Sequence, residues 1–104
     1  MPSLTVPTRS EHPNSMVVRE VTVTNRAGLH TRPASMIVRT ASRFKAEFFI
    51  QKDSYEINGK SIIGVMTLAA EQGSTLTLLF DGDDEDDAAH AVVELFENGF
   101  GEVK

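Results

Sequence analysis

The amino-acid sequence predicts an α+β sandwich in which helices cover one face of an antiparallel sheet. The chain has 104 residues, which suits a single domain with one hydrophobic core. Stretches in which apolar and polar residues alternate, as in half-buried strands, are separated by stretches in which apolar residues recur every three or four positions, as in amphipathic helices. The resulting order is strand, helix, strand, strand, short helix, strand and helix, which is typical of α+β folds.

Residues 1–15 precede the first of these elements and differ from the rest in composition. They contain three of the four prolines, together with several serines and threonines, and they show no hydrophobic periodicity. We expect a disordered N-terminal tail over residues 1–15 and a folded domain over residues 16–104. Met16 stands at the boundary, so the tail is either an artefact of start-codon choice or a genuine extension with a separate role.

The first half of the domain is predicted to contain a strand, a loop and a helix. β-Branched residues dominate residues 17–24, and Val21 and Val23 alternate with polar neighbours there, which indicates a strand with one buried face. Residues 25–29 then form a loop. A helix is predicted from residue 31 to about residue 44, because apolar residues recur there at helical intervals: Ala34, Ile37, Val38, Ala41 and Phe44.

The second half is predicted to contain strands over residues 46–51, 55–58 and 75–80, and helices over residues 61–68 and 85–98. Phe48 and Ile50 lie on one face of the first of these strands. Ser61 is a good N-cap for the short helix. The final helix has an acidic first turn, Gly99 as its C-terminal stop, and three residues expected to face inward: Ala88, Val92 and Leu95.

The composition excludes several classes of protein. The net charge is −5, and six of the seven residues 81–87 are acidic, which argues against nucleic-acid binding through phosphate neutralisation. No stretch approaches the roughly 18 to 20 apolar residues of a membrane span, and no secretory signal is expected at the N-terminus. The chain has no cysteine, which fits a cytoplasmic location. Its three histidines lack the spacing of metal ligands, so we expect neither a metal nor a cofactor.

One segment combines residue types that suit phosphoryl chemistry: Gly28-Leu29-His30-Thr31-Arg32-Pro33-Ala34. Pro33 is favoured in the first turn of a helix, which places the His30 ring beside backbone N–H groups that carry partial positive charge and accept anions. Arg32 adds a planar cation whose donors match phosphate oxygens. Without these neighbours, His30 would be interpreted as an ordinary surface or capping histidine. With them, it is predicted to hold a phosphoryl group.

The helix that starts after His30 carries a basic stripe opposite its apolar face. Its members are spaced by three and four residues: Arg32, Ser35, Arg39 and Arg43. A solvated helix face is the simpler interpretation of any single arginine. Their concentration beside His30 in an acidic protein predicts a docking surface for an acidic partner.

Three segments of the chain resemble the HPr family, the histidine-containing phosphocarriers of the bacterial sugar phosphotransferase system. They are the His30 segment, the run Lys-Ser-Ile-Ile-Gly-Val-Met at residues 60–66, and Gln72-Gly73-Ser74 before the last strand. The resemblance runs from about Val17 to the C-terminus. It implies an open-faced sandwich with a four-stranded antiparallel sheet and three helices on one face.

The resemblance also implies a function. A carrier of this family receives a phosphoryl group from phosphorylated Enzyme I and passes it to Enzyme IIA components, so the protein is expected to be a covalent intermediate rather than an enzyme, and to act as a monomer. His30 is the implied acceptor through its Nδ1 atom, and Arg32 is implied to assist the transfer. The residues expected to bind partners are Thr31, Arg39, Arg43, Ile62, Ile63 and Met66.

Ser61 matches the regulatory serine of the family, which HPr kinase/phosphorylase phosphorylates where that enzyme exists. A phosphate there would lie at a helix start and add negative charge to the surface that meets Enzyme I, so it is implied to inhibit transfer to His30. The simpler alternative is that Ser61 only caps the short helix. The neighbouring Ile62, Ile63 and Met66 also have two interpretations: they are core residues, or they are exposed and dock partners.

Two positions depart from the commonest family pattern, and two other functions stay open. Ser54 and Ala69 stand where many relatives have glycine, which puts the local loop shape in doubt. The His30 segment does not separate a carrier for sugar uptake from a paralogous carrier in a nitrogen-related regulatory relay. The other alternative is a binding module that regulates a transcription factor through the Ser61 surface, and such a module would keep full activity after His30→Ala.

Overall fold

The computed structural model describes residues 16–102, and the predicted tail at residues 1–15 lies outside them. The elements follow the predicted order: β1 (Val17–Thr22), α1 (Thr31–Ala41), β2 (Glu47–Lys52), β3 (Tyr55–Asn58), α2 (Ile62–Thr67), β4 (Thr75–Asp81) and α3 (Glu85–Glu97). A single 3-10 turn at Gly99–Gly101 follows α3. None of the helices within residues 16–102 is long and apolar enough to cross a membrane.

The four strands form one sheet in the order β1-β4-β2-β3, in which every neighbouring pair is antiparallel. On the face that the helices cover, Phe80 of β4 pairs with Val17 of β1 and with Phe48 of β2, and the rings of Phe48 and Phe80 stack at 4.6 Å. On the opposite face Val18, the partner of Leu79, is 50% exposed. One face of the sheet is therefore covered and the other open, which confirms the predicted open-faced sandwich.

The helices bury most of the apolar residues that the sequence predicts to face inward. Three of these residues in α1 are buried: Ala34, Ile37 and Ala41. In α3 the three residues predicted to face inward do so, since Ala88 and Val92 are buried and Leu95 is half-buried and packs against the core. The prediction did not include Phe96, which is the fully buried residue at that end of the helix. The reason is the turn after α3, which brings the Phe100 ring edge-on against Phe96 with centroids 5.0 Å apart.

α1 is shorter than predicted, because it ends at Ala41 rather than near Phe44. The N–H groups of Arg43 and Phe44 donate to carbonyls three residues earlier, at 3.2 and 3.1 Å, and such bonds tighten the chain into a turn. Phe44 still packs against the core, which explains why its spacing imitates a longer helix. Arg43 consequently lies beyond the helix, with its guanidinium 5.8 Å from the centroid of the Phe44 ring. The basic stripe on α1 itself is restricted to Arg32, Ser35 and Arg39.

The bounds of β3 agree with the prediction, and the remaining boundaries agree with theirs or differ by one or two residues. β1 ends at Thr22 because Val23 leaves the ladder: its N–H donates to Ser74 O at 2.9 Å, and its carbonyl accepts from Gly73 N–H at 2.8 Å. The strand β2 begins and ends one residue later than expected, and β4 ends one residue later. Gly99 follows the last residues of α3 with φ +59°, so its predicted role as the stop of that helix is confirmed.

Asp84 joins the start of α3 to the turn that precedes β2. Its Oδ2 atom accepts a hydrogen bond from Lys45 N–H and its Oδ1 atom accepts one from Ala46 N–H, both at 2.8 Å. These bonds hold the pKa of Asp84 below its ordinary value of 3.8, and the bond from Lys45 has the largest effect. The charged carboxylate therefore ties together two segments that are far apart in the chain.

We expect part of the free energy of unfolding to depend on the charge of Asp84. Since its folded-state pKa is lower than its unfolded-state value of 3.8, the stabilisation is complete above that pH and is lost as the pH falls through the folded-state pKa. Because the carboxylate is partly exposed and water screens its charge, Asp84→Ala should lower the free energy of unfolding by only about 0.5–1 kcal/mol at neutral pH, and by less near pH 2. Urea unfolding of both proteins at the two pH values measures this, and equal losses at both would contradict it.

Candidate functional site

His30 is the residue at which the chain enters α1, and it is exposed. Its backbone is extended, with φ −76° and ψ −169°, and its side chain makes no capping hydrogen bond to the helix. Two backbone hydrogen bonds of 2.9 Å fix its position: Leu29 N–H donates to Ala70 O, and His30 N–H donates to Gly28 O. The backbone at His30 is thus held in place by hydrogen bonds, whereas its imidazole takes no part in capping α1.

Gly28 explains why the segment before His30 contains a glycine. Its φ of +73° is one that residues with a Cβ rarely adopt, and a Cβ at this position would lie 2.5 Å from Ala70 O. The loop before α1 and the segment after α2 therefore touch through their backbones. This contact sets the distance between His30 and the chain at residues 69–71.

The first turn of α1 offers hydrogen-bond donors to an anion. Helix geometry leaves the N–H groups of Thr31 and Arg32 without an intrahelical acceptor, and Pro33 has no N–H to satisfy. This turn contains no acidic residue, so no side chain within it neutralises the partial positive charge of the helix end. The arrangement can stabilise a phosphoryl group carried by His30.

Arg32 lies two residues after His30, and its guanidinium contacts the C-terminal segment. Its Nη1 atom donates to Phe100 O at 3.0 Å and lies 3.6 Å from Oε2 of Glu102. The side chain remains 61% exposed, so a phosphoryl group can still reach it from solvent. The sequence indicated the arginine but neither of these partners, which lie far from it in the chain.

His30 lines a cleft of about 350 Å³ between the start of α1 and the segment after α2. The lining residues are Ala27, Leu29, His30, Met66, Ala69, Ala70 and Glu71. Met66 is the predicted partner-binding residue that shares this cleft with His30. Glu71 was missed by sequence reasoning, since it belongs to none of the recognised segments. Within residues 16–102, no group of three or more histidine, aspartate or glutamate side chains could hold a metal ion.

α2 presents apolar side chains to solvent instead of burying them. Ile62, Ile63 and Met66 are 39, 75 and 41% exposed, whereas Val65 is fully buried. The interpretation of the first three as core residues is therefore wrong, and they form an apolar surface next to the His30 cleft, here called the α2 surface. The other predicted partner-binding residues are exposed as well: Thr31, Arg39 and Arg43.

Ser61 caps α2 as predicted. Its backbone is extended, and its Oγ atom accepts a hydrogen bond from Gly64 N–H at 3.0 Å. The residue is half-buried and stands directly before Ile62. A phosphate on this hydroxyl would add charge at the edge of the α2 surface.

Ala69 has φ +51°, a left-handed conformation that costs a residue with a Cβ about 1–2 kcal/mol. It lines the His30 cleft, so the departure from the common glycine at this position has a structural consequence beside the site. Ser54 is the other position at which many relatives have glycine. The positive φ in that turn, +55°, belongs to the preceding residue, Asp53.

Ala69→Gly is expected to raise the free energy of unfolding by about 0.5–1 kcal/mol, because relief of the backbone strain exceeds the extra chain entropy of glycine. Urea unfolding measures the change. The matched control is Ala70→Gly, which removes a buried methyl group from an unstrained neighbour and should destabilise the protein. A loss of stability in Ala69→Gly like that of the control would show that Ala69 is not strained.

Comparisons with known proteins agree with one another. The family model described as PTS HPr component phosphorylation site matches residues 17–98. The phosphocarrier protein HPr of Treponema pallidum (strain Nichols) is 49% identical over 87 residues, which cover 84% of this chain and 99% of the relative. The HPr-like protein Crh of Halalkalibacterium halodurans is 45% identical over 82 residues, which cover 79% and 98%.

A solved structure extends the likeness to the fold. The crystal structure of HPr-C-His from Thermoanaerobacter tengcongensis has 41% sequence identity and a TM-score of 0.82, over 85% of this chain and 99% of that one. The identities, the coverage and the fold all point the same way. The chain therefore belongs to the HPr family of phosphocarrier proteins of the phosphotransferase system.

Proposed function

We propose that the protein relays a phosphoryl group from phosphorylated Enzyme I to Enzyme IIA components through a covalent phosphohistidine at Nδ1 of His30. The observation that carries this proposal is the exposed His30 at the start of α1, a helix with no acidic residue in its first turn. Membership of the HPr family supports the carrier role. In this proposal the protein is a covalent intermediate without turnover of its own, and it acts as a monomer in the cytoplasm.

The proposed transfers are two displacements at phosphorus. In the first, the lone pair of neutral Nδ1 of His30 attacks the phosphorus atom held by Enzyme I; a P–N bond forms, and the electron pair of the broken bond stays with Enzyme I. In the second, an acceptor atom of Enzyme IIA attacks the same phosphorus, and the P–N electron pair returns to His30. The N–H groups of Thr31 and Arg32 and the Arg32 guanidinium provide positive potential for the phosphoryl oxygens.

We propose that the α2 surface, together with the exposed Arg39 and Arg43, docks both partners. Ile62, Ile63 and Met66 leave apolar area open to solvent, and Met66 reaches the cleft of His30. Arg39 and Arg43 add positive charge, which suits an acidic surface on the partner. A protein that covers this region brings its own reacting group to the imidazole.

The test of the relay is to incubate the protein with Enzyme I and labelled phosphoenolpyruvate. We expect one label per chain that is released by acid and retained in alkali, as a phosphoramidate is, and that passes on to Enzyme IIA. A label that resists acid would indicate a modified hydroxyl instead. No label at all would overturn the proposal.

We propose Ser61 as a regulatory phosphorylation site. Its phosphate would place negative charge beside the α2 surface, where an acidic partner is expected, and so hinder docking. HPr kinase/phosphorylase with ATP should add one phosphate and slow the labelling of His30 by at least about tenfold. Ser61→Ala is the control, at a cost of about 1 kcal/mol for the lost cap. If the original protein shows no mass shift, or if Ser61→Ala shows the same shift, Ser61 is not the phosphorylation site.

A second candidate function is regulation of a transcription factor by binding alone. The α2 surface favours it, because apolar contacts there need no phosphate on His30. In that case His30→Ala would bind its target as well as the original protein does. A paralogous carrier in a nitrogen-related relay would use the same chemistry, and the identity of the Enzyme IIA that accepts the label distinguishes it.

A further inference from the structure

Asn25 is the fully buried polar side chain of the region that the structure describes, residues 16–102. It lies in the loop between β1 and α1, ahead of Gly28 and His30. A buried amide has lost its water, so its presence in a core needs compensation by hydrogen bonds. Its partners therefore show what it contributes.

The amide nitrogen of Asn25 connects two parts of the candidate site. Nδ2 donates to Gly28 O at 2.8 Å and to Oε1 of Glu102 at 3.2 Å. Gly28 O also accepts the His30 N–H, at 2.9 Å. The second carboxylate oxygen of Glu102 lies 3.6 Å from Nη1 of Arg32. A single amide group is thus linked on one side to the backbone of His30 and on the other to the partner of Arg32.

The chemistry of an amide suits this place better than that of other side chains. Asn25 donates N–H groups without carrying charge, so Glu102 keeps its full negative charge for Arg32. The Oδ1 atom of Asn25, in contrast, is buried and has no hydrogen-bond partner among the described residues. An apolar residue would avoid that cost. The contribution of the amide therefore comes from its N–H donors, and the unpaired Oδ1 acceptor lowers the free energy of unfolding.

We propose that Asn25 is a positioning residue for phosphoryl transfer: it fixes the His30 backbone and the Glu102 carboxylate relative to each other, so that Arg32 is held within reach of a phosphoryl group on His30. This inference rests on the proposed function and adds to it a residue that touches neither the partner nor the phosphoryl group. Because Asn25 is buried, its loss should change the rate of transfer within the complex rather than the affinity for Enzyme I.

The experiment measures labelling of His30 by Enzyme I as a function of carrier concentration. Asn25→Ala is expected to lower the maximal rate about 5- to 20-fold while changing the KM for the carrier by less than about 2-fold. Glu102→Gln should lower the rate in the same way. The double variant should be no slower than the slower single variant, because both residues act through Arg32. Arg32→Ala gives the largest decrease that this route can produce.

The matched control is Val23→Ala, which truncates another fully buried residue close to Asn25 in the chain. It should lose stability and keep the original transfer rate at temperatures where it is folded. A second readout is the NMR signal of the Arg32 guanidinium N–H groups. That signal should move in Asn25→Ala and in Glu102→Gln, and stay in place in Val23→Ala.

Each outcome decides one question. If the original protein takes up label and Asn25→Ala does so equally fast with an unmoved Arg32 signal, the positioning role is wrong and the proposed function stands. An equal slowing in Val23→Ala also overturns the positioning role. If Asn25→Ala does not fold, an unchanged rate and an unmoved Arg32 signal in Glu102→Gln overturn it instead. If the original protein takes up no label, the proposed function fails, and the Arg32 signal alone then decides whether Asn25 positions the guanidinium.

Discussion

His30→Gln is expected to reduce the rate of phosphoryl acceptance from Enzyme I by at least about 1000-fold, because a carboxamide offers no nucleophilic nitrogen to phosphorus. The fold should tolerate the change, since His30 is exposed and its ring makes no capping bond to α1. We expect the free energy of unfolding to change by less than about 0.5 kcal/mol. Initial rates of labelling from phosphoenolpyruvate, together with urea unfolding of both proteins, separate the chemical effect from any loss of structure.

The control for this variant is His90→Gln. His90 is exposed on α3 and is not among the residues that line the His30 cleft. It should accept label at the original rate. An acid-labile label that remains in His30→Gln would show that another nitrogen is the acceptor, and the proposed relay through His30 would then be wrong.

Gly28→Ala is expected to lower the free energy of unfolding by about 3–4 kcal/mol, a large effect for one added methyl group. Two costs combine. The φ of +73° becomes strained once a Cβ is present, and that Cβ would lie 2.5 Å from Ala70 O and 3.1 Å from the Cα of Glu71. Both contacts are with backbone, so relief requires the loop before His30 to move. The rate of labelling should therefore fall with the stability, and urea unfolding gives the magnitude.

Gly73→Ala separates the two costs in that prediction. Its φ is +93°, but a Cβ there would meet no atom within 4 Å. This control should lose only the strain term, about 1–2 kcal/mol, and should keep the original labelling rate. Equal losses of stability in the two variants would show that the contact between Gly28 and Ala70 is not tight.

Local patterns were sufficient for most elements of the fold. The alternation around Phe48 and Ile50, the cap at Ser61 and the stop at Gly99 each depend on neighbours in the chain, and the structure agrees with all three. The end of α1 was predicted wrongly for an instructive reason. Phe44 lies at a helical interval and packs on the core, although the chain has already left the helix. Hydrophobic spacing reports which residues are buried, and it does not report how the backbone is bonded.

In the candidate site, too, the sequence shows what is local in the chain and does not show what the fold brings together. His30 and Arg32 lie in one short segment, so the sequence shows them together. Glu71, Glu102 and Asn25 come from three separate segments that only the fold assembles, and none of them has a distinguishing pattern around it. The left-handed backbone conformation of Ala69 also could not be predicted from the sequence, since alanine rarely adopts a positive φ.

The position of one exposed imidazole beside one apolar surface limits the rate at which phosphoryl groups can pass through the proposed relay. In that proposal, donor and acceptor use the same nitrogen and the same docking area, so their complexes exclude each other and the protein has to dissociate from one before it binds the other. Tighter binding to either would delay departure and slow the flux, even if the chemical step were faster. Selection on the α2 surface should therefore favour rapid dissociation over high affinity.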